Sequence, residues 1–188
     1  MQIIMSPAKL MSFEQDVNYK TTTPLFQNET EEILKVCQNL SPSDIAEQMK
    51  VNADIANSVF EYFQTYNADS TPKRAASLAY NGIAYKGLNA HDFEEEDVKY
   101  AQQHLNLISG FYGMLRPFDA IKPYRLEFAR KIQPKGYKTL YEYWRNTLNA
   151  YMAEKLKGDE PVIINVASKE YSKALDKKLL PQDTRIID

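Results

Sequence analysis

The chain has 188 residues, 23 Lys and Arg against 25 Asp and Glu, a net charge of −2, and 44% hydrophobic residues. That length fits one domain with a proper core, and the charge excludes a polycation. No apolar run approaches the length of a membrane span, the start MQIIMSPAK lacks a signal-peptide pattern, and the single Cys37 can form no internal disulfide, which together place the expected location in a reducing cytoplasm.

Residues 2–5 read as a short buried strand that stops at Ser6-Pro7, and residues 12–26, with a Thr-Thr-Thr-Pro turn, read as a loop. A helix over 28–39 has Ile33, Leu34 and Cys37 as its inner face, with Cys37 a buried thiol. Ser41 caps the next helix with Pro42 at its first position, and Asn52 caps a third, in which Ile55, Val59, Tyr62, Phe63 and Tyr66 recur at helical spacing. The aromatic and small residues of 77–88, with two glycines, predict a strand or hairpin. Asp92 and Glu95 predict a capping pair ahead of a helix over 94–108, whose stripe is Val98, Ala101, Leu105 and Ile108, with Gly110 as its left-handed terminal residue. His104, beside that stripe, reads as a packed, hydrogen-bonded histidine.

The clearest pattern is a helix over 140–157, with Thr139 and Glu142 as a capping box and Gly158 and Pro161 as the stop. A continuous apolar strand follows at 161–167, of the kind buried on both faces. Arg185-Ile-Ile-Asp188 begins a further strand pattern where the chain stops, so a segment beyond it is expected, and with it an exposed sheet edge or uncovered apolar patch here. Helices and strands interleave without a regular period, and the expected fold is a single α+β domain with a mixed sheet packed against helices.

Common catalytic signatures such as a P-loop, GxGxxG, HExxH or nucleophile elbow are absent, and two histidines are too few for most zinc sites, so no metal or cofactor is expected. Three clusters hold polar chemistry. Ser6-Pro7-Ala8-Lys9 lies at the carboxyl end of the first strand, where sheet proteins place ligand groups. In LISGFYGMLRPFDAIKPYRLEF, residues 107–128, Gly110 and Gly113 allow a backbone bend with exposed amides, Arg116 and Arg125 suit bidentate phosphate contacts, Lys122 and Tyr124 lie between them, and Glu127 can orient an arginine or act as acid or base. Asn165 and Ser168 close the buried strand, either as ligand groups or as caps of the next helix. Residues 116–138 also hold seven cations against Asp119 and Glu127, a local +5 that leaves −7 for the rest of the chain.

The stretches MQIIMSPAK, AQQHLNLISGFYGMLRPFDAIKPYRLEF, LYEYW and VIINVASKEY stand in the order and spacing of the YaaA peroxide-stress family, and the resemblance covers essentially the whole chain. It implies a cytoplasmic bacterial protein that limits oxidative damage during hydrogen peroxide stress, tied to unincorporated iron. It also implies DNA binding and a helix-hairpin-helix element, which the 94–108 helix, the 109–115 bend and the following basic residues would supply by meeting phosphate without reading bases. The two glycines here stand three apart, wider than the usual hairpin. Two further departures concern Gly82-Ile83-Ala84-Tyr85, where family members often show Gly-Asp-Val-Tyr, and the family's later Lys-Lys-Ala-Arg-Gly motif, which lies beyond Asp188.

Three readings of function follow. The first is a stress protein that binds double-stranded DNA by its backbone with little sequence preference. The second is an enzyme acting on a nucleotide or nucleic acid at a base–sugar bond, with Lys9 or Glu127 as catalytic candidates. The third is an iron-handling protein. If one site exists, Ser6–Lys9, Arg116–Glu127 and Asn165–Tyr171 should converge on one concave surface.

Overall fold

The structure, a computed structural model, describes residues 1–14, 19–157 and 161–188. In chain order the elements are β1 (Gln2–Met5), α1 (Gln27–Gln38), α2 (Pro42–Met49), α3 (Ala53–Gln64), β2 (Arg74–Ala75), α4 (Ala76–Ala79), α5 (Ile83–Leu88), α6 (Glu95–His104), β3 (Leu105–Ser109), β4 (Gly113–Leu115), β5 (Ala120–Ile121), α7 (Leu140–Lys155), β6 (Val162–Asn165), α8 (Lys169–Ser172) and β7 (Arg185–Ile187). Five strands form a mixed sheet in the order β4-β3-β1-β6-β7, and β2 pairs with β5 in a small second sheet. β1 lies at the centre, parallel to both β3 and β6, while β4 returns antiparallel to β3. Helices pack on this sheet to give one α+β domain, as the sequence predicts.

The caps decide where several helices begin. Ser41 Oγ accepts from Asp44 N while the Asp44 carboxylate accepts from Ser41 N, and Asn52 Oδ1 accepts from Ile55 N. At α7 the Thr139 hydroxyl accepts from Glu142 N at 3.1 Å, but the Glu142 carboxylate takes the N–H of Lys138, one residue earlier than a capping box requires. Helix α7 ends at Lys155, Gly158 lies outside the described residues, and the predicted strand 161–167 narrows to β6. Cys37 is buried in α1, and burial pushes its thiol up. His104 Nδ1 lies 3.0 Å from the Met1 carbonyl, as a packed histidine should.

The structure corrects three expectations. Residues 77–88 are not a strand or hairpin: Tyr80 N donates to Ala76 O and Lys86 N to Gly82 O, so helical hydrogen bonds win over the strand-like composition of aromatic and small residues. The cap of α6 is formed by Glu94 and Asp97, two residues later than predicted, because Asp92 is taken up in a short turn where it accepts from Asn89.

The third correction concerns the expected 94–108 helix, which stops at His104. Leu105–Ser109 is a strand buried along its whole length between β1 and β4. An apolar spacing of three and four serves a helix face, yet Leu105, Leu107 and Ile108 are buried because the strand is covered on both sides. The bend at 110–112 therefore joins two strands and makes a β-hairpin, not a helix-hairpin-helix. Gly110 does not cap a helix either. Among the described residues the left-handed glycines are Gly113 (φ 74°) and Gly136 (φ 97°).

Candidate functional site

Parallel pairing of β1 with β6, in which Ile4 faces Asn165, brings the loops after both strands to one edge of the sheet. There Ser168 N donates to Ser6 Oγ at 2.9 Å, and the Ser6 carbonyl accepts from Tyr85 OH at 2.8 Å. Loop ends on adjacent parallel strands are where open sheets place ligand-binding groups.

Gly110 supplies the third side. A Cβ on this residue would lie 2.6 Å from the carbonyl oxygen of Leu126, so only glycine lets the 126–128 backbone run against the end of β3. That contact seats Glu127 at the same edge. Its carboxylate is almost fully buried, and Lys9 Nζ, Arg125 and Arg130 approach the one oxygen Oε1 at 3.6, 3.6 and 3.2 Å. Burial pushes the Glu127 carboxyl up, but the hydrogen bonds and charge of Arg130, with the charge of Arg125, outweigh it and hold the carboxyl below its ordinary value. The segment is tied to helices α8 and α7 as well, because Ala129 N donates to Glu170 Oε1 at 3.0 Å and Phe128 stacks on Tyr141. Ser6, Lys9, Arg125, Glu127 and Ser168 thus stand at one edge of the sheet, whereas Arg116, expected with them, is held by Asp119.

Other candidates are engaged by partners of their own. Arg116 is folded onto Asp119, with Nη2 2.7 Å and Nε 3.0 Å from Oδ1, and donates a further bond to the Thr23 carbonyl. Lys122 donates through Nζ to the Tyr66 carbonyl and lies 4.7 Å from the centre of the Tyr66 ring, beside a separate cavity of about 310 Å³. Burial, then the charge of Lys73, pulls the Lys122 amine down. Gly113 packs on Trp144, and Asn165 donates to Asp188 Oδ1 at 2.5 Å. Tyr124 turns its hydroxyl inward to Ser109, at 2.7 Å, and to Tyr80, and burial pushes it up to about 12. Tyr124 also lines the surface cleft that Lys9 and Arg125 line.

Two residues of the site escape sequence reasoning. Arg130 was legible as one cation among seven, and the signal that marks it is its place three residues after Glu127. Glu170 gives no comparable signal, since only the tertiary contact to Ala129 reveals it. Among the described residues no three His, Cys, Asp or Glu side chains gather as a metal site, and no helix is long and apolar enough to cross a membrane.

The family described as peroxide stress protein YaaA matches residues 1–188. Similar curated proteins include a UPF0246 protein of Maricaulis maris, 42% identical over 185 residues covering 96% of this chain and 69% of the relative. A UPF0246 protein of Alteromonas mediterranea is 39% identical, covering 96% and 71%. Another from Bacteroides thetaiotaomicron is 38% identical, covering 100% and 73%. A match along the whole length, including the strands and loops that build the Glu127 cluster, leaves one assignment: the chain belongs to the YaaA peroxide stress protein family.

Proposed function

We propose that this peroxide stress protein binds double-stranded DNA through its backbone, with little sequence preference, at the cationic cluster around Glu127. The observation that carries the reading is three cations sharing a single carboxylate oxygen. Their distances of 3.2–3.6 Å exceed the roughly 2.7–2.9 Å of a saturated charge-assisted bond. The buried Nε–H of Arg125 has no acceptor among the described residues, although an unpaired buried donor is costly. A phosphate oxygen would satisfy both. Ser6 and Ser168 add hydroxyls at the same edge, and Lys131, Lys135 and Lys138 lie exposed on the segment that follows. Backbone contacts of this kind position a duplex without reading its bases. The link from DNA binding to protection against iron-driven oxidation rests on the family resemblance.

Glu127 orients the cations in this reading. A carboxyl held below its ordinary value is ionised near neutral pH and donates no proton, which ranks acid catalysis at a base–sugar bond second.

Salt titration of duplex binding tests the proposal. Each phosphate neutralised contributes about 0.9 to the slope of log affinity against log salt. Arg125→Ala and Lys9→Ala should each flatten that slope by roughly one and weaken unrelated duplexes equally. A folded Arg125→Ala protein with unchanged affinity and slope would remove the cluster from the binding surface.

A further inference from the structure

Beside the Glu127 cluster runs a cleft of about 460 Å³, whose walls come from the 9–13 loop, one face of α3, and Pro123–Arg125. Its lining brings together three kinds of group. Lys9 and Arg125 stand in it as cations, Phe13 and Tyr62 as aromatic faces, and Asp54 as a carboxylate. The α3 contribution follows from helical spacing, since Asp54, Ser58 and Tyr62 recur every four residues on one face. Tyr62 is 38% exposed, although a tyrosine with no ligand to cover gains by packing inward, and Leu10 in the same loop is 70% exposed. The Ser58 hydroxyl is already turned to the Asp54 carbonyl, four residues earlier. The Asp54 carboxylate is left as the acceptor.

We infer that this cleft takes one unstacked nucleotide of a DNA strand, with its phosphate on Lys9 and Arg125 and its base against Phe13 and Tyr62. Cations, aromatic faces and an acceptor in one cleft match, in kind, the phosphate, the base face and the base edge of a nucleotide. Aromatic platforms beside a cationic track are how proteins hold unpaired strands, because every base has a π-face. Asp54 offers only lone pairs, so it favours a base edge that carries donors. Guanine brings N1–H and N2–H₂ together, whereas thymine brings a single N–H between two carbonyls. The orphan Nε–H of Arg125 is then the phosphate contact already proposed, and the inference rests on that reading of the cluster.

The experiment uses the full chain with three probes: a matched duplex, an oligonucleotide holding an unpaired 2-aminopurine, and free deoxyguanosine monophosphate. Seating the base should change 2-aminopurine fluorescence on binding. Tyr62→Ala and Phe13→Leu should abolish that change and weaken the unpaired probe about tenfold, while the matched duplex still binds with its salt slope. Circular dichroism checks that both variants are folded. Guanine at the unpaired position should compete better than thymine, and Asp54→Asn should remove that difference. Binding of the oligonucleotide alone supports a strand as the source. Equally tight binding of the free nucleotide overturns the strand and assigns the cleft to a small ligand. Salt-dependent duplex binding with no fluorescence change overturns the cleft and leaves the phosphate reading standing. No binding of any probe overturns both.

Discussion

Arg116 and Arg125 look alike in the sequence, each an arginine within two residues of a proline and near a carboxylate, and they end in different roles. Arg116 serves Asp119, which is fully buried and also accepts from Thr22 Oγ1 at 2.7 Å and from Arg116 N at 2.8 Å. Removing the guanidinium would strand a buried charge. Arg116→Ala is expected to cost about 3 kcal/mol, the lower end for a broken buried pair because the arginine is partly exposed. Melting should fall by roughly 6–12 °C, read by calorimetry. Arg125 has an unsatisfied Nε and a looser ion pair, so its loss should show in ligand binding first. The residues of the site were legible as types, but not the division of labour between the arginines. Which carboxylate each one finds depends on the chain's path through 116–127, and no local signal fixes that path.

Caps and turns were the most legible elements, since Ser41 and Asn52 act within three residues of themselves and need no distant partner. β3 was the least legible. Its residues carry apolar spacing suited to a helix, and only pairing with β1 and β4 decides for a strand. Glycine at Gly113 is what lets β3 turn into β4. Its φ is 74°, and a Cβ would stand 2.6 Å from the Trp144 ring. Trp144 cannot step aside readily, because it is fully buried and its Nε1–H is held by the Gly110 carbonyl at 2.9 Å. Gly113→Ala should therefore destabilise by about 2–4 kcal/mol, combining left-handed strain with overpacking. Gly87 offers the contrast, exposed in α5 with nothing within 4 Å of a built Cβ. Gly87→Ala should stabilise by about 0.5–1 kcal/mol. Chemical denaturation of the two variants checks both signs, and equal effects would sink the argument.

On the scale of the whole molecule, the class of fold was readable and the order of strands was not. Irregular interleaving of helices and strands already argues for α+β. The order β4-β3-β1-β6-β7 depends on pairings between segments far apart in the chain, which a local pattern cannot encode. The same holds for the site. Three clusters were visible, and the convergence of the 6–9, 125–127 and 168–170 segments follows only once β1 lies between β3 and β6. A chain of net charge −2 can still present a cationic face, because most of its acidic excess lies outside 116–138.

The central position of β1 has a cost in time. Ile3 pairs with Leu105 on one side and Ile164 on the other, so β1 has no partner in this sheet until a hundred or so further residues have been made. Such long loops must close before the sheet rewards them, and folding of this kind is slow and exposes apolar strands meanwhile. Refolding from denaturant should run well below the rate of a helical bundle of this length, and Ile4→Ala, in the fully buried heart of that strand, should lower the yield of soluble protein more than Leu10→Ala on the surface. Stopped-flow fluorescence of Trp144, which packs against the β3–β4 turn, would follow the closure directly. Fast refolding that is indifferent to Ile4 would mean that the sheet does not assemble around its first strand.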